Sequence, residues 1–405
     1  MAFVKWCSFY ELPEPTHWVE PPEIYSFSTL QAIKSCPRRW QLLHSGWGPF
    51  SQFPERPQPA AIEGQIVHAA LELLARELGR LGRPPIGSTT FQKALTACGF
   101  WSFFATQIQV WNQRLGAHPR AGPPYVLRTK PQELTNQTIR LFRETYLPGV
   151  GQSLSSQPDP DPFISARLDP LATNTAVNPA VLLQTRGGLA EIRLRHPTLP
   201  IAGVMDVVTL DQQGTTTILD FKTGKQKPAH IDQVHLYALL WWRCCGAPPD
   251  QVVLQYLDTA WSQPVSTAEL SRVEEAIVRD INYAKSMLLA RPAPPNPGSD
   301  CIWCPVRPRC NEGWAQIEPF TQGKPGKSVA IELTLIAEPS STGFLGLHSS
   351  GLEYSVAYDV AISSDLPLVR QGDRIRFLDA MAGQTEREIL LRPWTEIYPL
   401  LKKEC

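Results

Sequence analysis

The stretch IAGVMDVVTLDQQGTTTILDFKTGKQKPAHIDQVHLY, residues 201–237, constrains this chain more than any other. Val204, Met205, Val207, Val208 and Leu210 run into Asp211-Gln212-Gln213-Gly214, and Thr215 through Leu219 run out. Two β-rich runs around a short glycine-containing turn predict a β-hairpin. Glycine at the last turn position suits a three-residue loop whose final residue takes the left-handed conformation. Asp211 then faces Thr215, and counting back along both strands sets Asp206 opposite Asp220. Opposed residues share a face, with Cβ atoms about 4.5–5.5 Å apart. Lys222, two residues past Asp220, points to the same side. An exposed hairpin could carry such acids solvated. Here the run before Asp220 is apolar and Phe221 continues it, so the acids emerge from a core strand, where unpartnered charge is costly. Like charges facing each other destabilise a sheet unless a cation lies between them. The hairpin reads as built around a divalent metal.

The 405 residues allow two or three domains and a sizeable core. A hydrophobic content of 43% with 19% charged residues marks a globular chain. No apolar run approaches the roughly 18 residues that span a bilayer, and the N-terminus shows no signal-peptide pattern. These features predict a cytoplasmic protein without a membrane partner. Formal net charge is zero, so affinity for nucleic acid must come from a local basic patch.

Residues 1–24 read as a proline-rich extension. Ser28 then predicts a helix N-cap, with Leu30 and Ile33 at helical spacing, and Cys36-Pro37 marks the helix end. After a proline-rich loop at 49–61, Glu63 to Ala75 is a periodic amphipathic helix carrying His68, with Gly64 one turn earlier. Residues 90–147 predict two or three helices, and 149–180 a long surface connection. Ala180 to Leu183 and Ala190 to Leu194 read as strands. Glu191 either faces the hairpin site or lies solvated on its strand, and is not assigned to the site. Beyond Lys222 a basic turn with Lys225 and Lys227 leads into a helix that places Gln233 and Tyr237 on one face, one turn apart. A strand at 252–257 and a helix at 268–288 follow.

Nine cysteines, without an export signal, argue for free thiols or a metal site rather than a disulfide framework. Cys301-x2-Cys304-x5-Cys310 puts three thiols on one proline-rich loop, and Cys36 is the natural fourth. Thiolates suit zinc and iron–sulfur clusters alike. Either would clamp the N-terminal helix to the far end of the domain.

Together these pieces resemble the RecB-like exonuclease family of the PD-(D/E)XK nuclease superfamily, in its iron–sulfur branch. The residues that carry the resemblance are Gly64-x3-His68, Gly203-Val204-Met205-Asp206, Asp220-Phe221-Lys222, Gln233-x3-Tyr237 and the four cysteines. It covers roughly residues 25–312. It implies an α/β, restriction-endonuclease-like fold, a central mixed sheet flanked by helices over 25–317. His68, Asp206, Asp220 and the backbone carbonyl of Phe221 would hold Mg2+ or Mn2+. Lys222 would orient the attacking water, and Gln233 and Tyr237 would position Lys222 or the strand. Cys36, Cys301, Cys304 and Cys310 would hold a 4Fe-4S cluster, with zinc as the alternative. The implied substrate is DNA, single-stranded or with duplex ends, in repair or recombination. No helicase motor is present in the sequence, and no residue here names a helicase or recombination partner. Lys34, Arg38, Arg39, Lys225, Lys227, Arg307 and Arg309 flank the motifs, either as phosphate contacts or as solvated charges.

Residues 318–405 change character. Ser328 to Ala337, Tyr354 to Ala361 and Asp373 to Leu378 alternate as short β runs and predict a small β-barrel. An OB-like strand binder and a plain packing module both fit. The first functional reading is a metal-dependent DNA exonuclease or end-processing nuclease. The alternative is a DNA-end-binding scaffold without cleavage, its four cysteines holding zinc.

Overall fold

The hairpin predicted from the sequence sits at the centre of a five-stranded sheet. The computed structural model describes residues 12–81, 84–116, 118, 120, 127–145, 178–222, 224–316, 325–358, 369–392 and 394–400. Most of the connection predicted at 149–180, and the thiols of Cys7 and Cys405, lie outside the described residues. Strands β1 (Gly188–Arg195), β2 (Ala202–Leu210), β3 (Thr216–Lys222), β4 (Gln251–Tyr256) and β5 (Ala260–Pro264) pair in sequence order. All neighbours are antiparallel except β3 and β4. A parallel pair needs a crossover, and α8 (Pro228–Cys245) supplies it. The β2–β3 register pairs Val207 with Leu219 and Leu210 with Thr216, as the turn dictates, and Gly214 takes φ +83°.

Helices cover both faces. On one side Val208, Ile218, Val252 and Leu254 pack with α8, α9 (Thr267–Met287) and α1 (Phe27–Ser35). On the other, Val207, Leu219 and Phe221 meet the core of α3 (Pro59–Arg80), α4 (Thr89–Ala97), α5 (Phe100–Gly116) and α6 (Pro131–Thr145). A sheet buried on both faces explains why the strands read as near-continuous apolar runs. The helix α1 is capped by Ser26, whose hydroxyl accepts from Thr29 N–H, and not by Ser28 as predicted; Ser28 lies inside the first turn. It ends at Ser35, extended Cys36 follows, and Pro37 opens α2 (Pro37–His44).

The strand predicted at Ala180–Leu183 is a helix, α7 (Pro179–Arg186). Asn178 caps it, Pro179 occupies the first turn and Gly187 closes it at φ +67°. Four apolar residues alone do not separate strand from helix; the Asn-Pro and Gly signals at the two ends do.

The C-terminal part is a closed barrel. The strands are β6 (Ser328–Leu335), β7 (Gly343–Leu347), β8 (Glu353–Ala357), β9 (Arg374–Ala382) and β10 (Glu388–Leu390). They close in the order β6-β7-β8-β10-β9, and β9 returns beside β6. That is a five-stranded Greek-key barrel, the OB arrangement. Sequence reading missed β7 because glycines interrupt it. A Cβ at Gly346 would stand 2.9 Å from Leu333, so close strand approach requires that glycine. A further strand, β11 (Glu396–Leu400), lies on β9.

The barrel is joined to the rest through a small core of Leu42, Leu43, Trp47, Phe53, Val306, Leu378 and Tyr398. Beside it Glu396 of β11, 3% exposed, accepts from Arg120 at 3.0 and 3.1 Å, from Arg56 at 2.8 Å and from Tyr398 at 2.7 Å. Burial alone would raise this carboxyl, but Arg120 and Arg56 outweigh burial and hold it at about 2. Its stabilising contribution is therefore complete above the ordinary value of 4.5 and is lost as pH falls toward 2. Removing this acid takes the counter-charge from the buried Arg120 guanidinium, whereas Arg56 keeps its pair with Asp379; breaking such a buried pair costs about 3–5 kcal/mol. Glu396→Ala is expected to lower the urea midpoint by that equivalent at pH 7. An unchanged midpoint would contradict the latch.

Candidate active site

Asp206 and Asp220 lie one step past Val207 and Leu219, the last paired residues of the β2–β3 ladder. The strands part there, and the Asp206 carboxylate occupies the gap, its Oδ2 accepting the Phe221 N–H at 2.7 Å. Asp220 is 2% exposed. Lys222 Nζ lies 2.5 Å from Asp220 Oδ2 and donates to Gln233 Oε1 at 3.0 Å. Gln233 Nε2 in turn donates to Tyr237 Oη at 2.6 Å. The Asp220 oxygen has an ion pair but no well-aligned hydrogen bond. Burial raises both carboxyls; the Phe221 N–H and Lys222 oppose the rise at Asp206, while the neighbouring Asp206 adds to it at Asp220. Two acids are thus held in protein interior against their own repulsion.

Gly203 explains the position of the α8 row. A Cβ there would stand 2.9 Å from Tyr237 Cε1 and 3.0 Å from Leu240 Cδ1. The bare backbone lets the Tyr237 ring settle on β2, which fixes Gln233 and, through it, Lys222.

His68 comes from α3 on the other side of the sheet, its side chain 37% exposed and Nδ1 3.9 Å from Asp206 Oδ2. Burial lowers its pKa, with Lys222 reinforcing the shift and Asp220 opposing it, so the imidazole is kept neutral and able to offer a lone pair. Phe221 buries its ring in the α3–α6 core. The structure therefore brings together His68, Asp206, Asp220, Phe221, Lys222, Gln233 and Tyr237.

Glu191, left unassigned on sequence, belongs to the same place. Its φ is +50°, and the β1–β2 register pairs Ala190 with Val207 and Ile192 with Met205 but skips Glu191 and Asp206. Such local strain next to a site re-aims a side chain. Burial, then Asp206, Glu72 and Asp220, push the Glu191 carboxyl up to about 7. Glu72 lies one turn beyond His68 on α3. Sequence could not reach this contact, because the β1–β2 connection has no turn signature that sets a register.

The four cysteines meet at one cavity, walled also by Pro295, Pro297, Val306 and the side chains of Arg38, Arg39 and Arg307. Cys36 Sγ accepts the N–H groups of Arg39 and Asn296 at 3.4 and 3.5 Å. Cys301 accepts that of Gly298 at 3.4 Å, and Cys310 that of Gly313 at 3.3 Å. Val306 N–H serves Cys304, whose thiol burial pushes up to about 11. Among the described residues, no three His, Cys, Asp or Glu side chains are drawn close enough, as they stand, to hold a metal ion. At the carboxylate site Lys222 supplies the positive charge that Asp220 faces.

Several flanking cations are engaged inside the protein. Lys34 pairs with Asp280 at 2.9 Å, Arg38 with Glu312 at 2.6 Å, and Arg309 lies over the Tyr398 ring. Lys225 and Lys227 are exposed beside the site.

No curated protein matches the chain. Among solved structures, the crystal structure of SSO0001 is a match at 12% identity and a TM-score of 0.23, covering 62% of this chain and 94% of that one. Residues 24–311, more than half of the sequence and the span holding both carboxylates, Lys222 and all four clustered cysteines, match the PD-(D/E)XK nuclease superfamily, and the chain belongs to it.

Proposed function

We propose that this protein is a metal-dependent DNA nuclease of the RecB-like, iron–sulfur kind, an exonuclease or end-processing enzyme. The observation that carries this reading is the Asp206–Asp220 pair, Asp220 buried and Asp206 half-buried, with Lys222 against it. The donor set fits a hard cation: His68, Asp206, Asp220 and the Phe221 carbonyl offer mostly oxygen with one imidazole, which suits Mg2+ or Mn2+. When bound, the cation supplies charge neutralisation at the phosphodiester and a more acidic water. Lys222 presents its ammonium where charge develops on the phosphate and orients the attacking water. Gln233 and Tyr237 hold that ammonium in place. Glu191 and Glu72 extend the acidic lining that attracts the cation.

In the same reading Cys36, Cys301, Cys304 and Cys310 hold a 4Fe-4S cluster that ties α1 and α2 to the end of the nuclease fold. Four thiols that ring one cavity suit a cluster or a zinc, and the resemblance of their spacing to the iron–sulfur branch favours the cluster. Backbone N–H donors to every sulfur suit either. The barrel is read as a packing module. Its β7 and β8 strands expose Leu345, Glu353 and Ser355 while Phe344 and Tyr354 are buried, so among the described residues these two strands present no exposed stacking or basic side chain. The scaffold reading, in which the barrel grips DNA ends, loses its platform there.

Asp220→Asn is expected to cut Mg2+-dependent cleavage of end-labelled DNA by about a hundredfold or more while leaving the melting curve in place. Undiminished cleavage in that variant would remove the site. Gly203→Ala should displace Tyr237 and slow cleavage roughly tenfold to a hundredfold without abolishing DNA binding; wild-type turnover would show that the Tyr237–Gln233 row does not hold Lys222. Anaerobically purified protein should carry about four irons with a broad visible absorption, lost in Cys304→Ser. Stoichiometric zinc without iron would overturn the cluster.

A further inference from the structure

His230 opens the row on α8 that continues through Gln233 and Tyr237, one face of one helix at successive turns. Its ring lies 5.9 Å from that of Tyr256, and Nδ1 is 2.9 Å from Tyr256 Oη. Tyr256 is the β4 residue paired with Lys222, and is 4% exposed. Its buried hydroxyl must donate, and among the described residues the acceptor it meets is His230 Nδ1. Nδ1 is then the bare nitrogen and Nε2 carries the proton. Among the described residues Nε2 has no protein partner, and the imidazole is half-buried beside Lys222, with exposed Lys225 and Lys227 on the adjoining turn. The first turn of α8 contains no acidic side chain, and Asp232 projects from a different side of the helix.

We propose that His230 is a phosphate-positioning residue, donating Nε2–H as a neutral imidazole to a backbone phosphate of the DNA strand next to the one being cut, with Tyr256 locking the tautomer. The assignment rests on the nuclease reading. It predicts a contact that Lys225 and Lys227 cannot replace, since they carry charge without a fixed direction. Burial and the neighbouring Lys222 and Lys227 both lower the pKa of this imidazole, consistent with a neutral donor.

The test uses the full chain in the Asp220→Asn background, chosen to suppress cutting, and a fluorescein-labelled DNA oligonucleotide read by anisotropy across a salt series in Mg2+. His230→Ala should weaken binding about tenfold to a hundredfold, the worth of one hydrogen bond to a charged group. His230→Gln, which restores an N–H near the Nε2 position, should recover most of that loss, and His230→Asn should not. Because the donor is neutral, His230→Ala should leave the slope of log affinity against log salt unchanged, whereas Lys227→Ala should reduce it by about one. Equal affinity with and without His230 would overturn this proposal alone. A slope reduced by about one in His230→Ala would overturn the neutral-donor assignment. Absence of DNA binding in the Asp220→Asn parent would overturn the nuclease reading and this contact with it.

Discussion

Two carboxylates brought together inside a protein repel each other and resent burial, and the architecture around Asp206 and Asp220 is organised to hold them there regardless. The tight turn at Gly214 sets the register, apolar residues on both faces of β2 and β3 lock it, and the strands separate one step before the acids meet. The gap is bridged by the Phe221 N–H on Asp206 and by the Lys222 ammonium on Asp220. Charge left in such a place is unfavourable unless a positive partner arrives.

The remaining elements act as supports for that point. The α8 row, seated by Gly203, aims Lys222 from one side of the sheet, and α3 presents His68 from the other. The α3 helix is in turn steadied from a distance. Arg56, just before it, and Arg120, just after α5, both end on Glu396 of the barrel. The barrel also grips the cysteine loop, where Arg376 donates to the Pro308 carbonyl and to Asn311. These bonds tie the barrel to the cysteine loop and to the segments flanking α3 and α5.

Legibility followed the range of the interactions. The hairpin, its register, the Gln233–Tyr237 row and the Lys222 side were readable because each depends on spacing within a few residues. The clustering of Cys36 with Cys301, Cys304 and Cys310 was readable because thiols at that spacing have few other uses. Glu191 was not, since its place depends on a left-handed backbone at a non-glycine residue and on a strand pairing across an irregular connection. The role of Lys34 and Arg38 was likewise hidden: their partners, Asp280 and Glu312, stand hundreds of residues away in sequence. The four apolar residues of α7 fit strand and helix alike, and the Asn-Pro and Gly signals at its two ends are what mark the helix.

The most direct measurement is a crystal structure of the protein soaked in Mn2+, with anomalous scattering used to find the ion. The expected result is a peak within about 2.0–2.3 Å of carboxylate oxygens from both Asp206 and Asp220, with the His68 imidazole turned onto it and Lys222 shifted off Asp220. Density that leaves Lys222 paired with Asp220 and puts no manganese between the two acids, at concentrations that support cleavage, would contradict it.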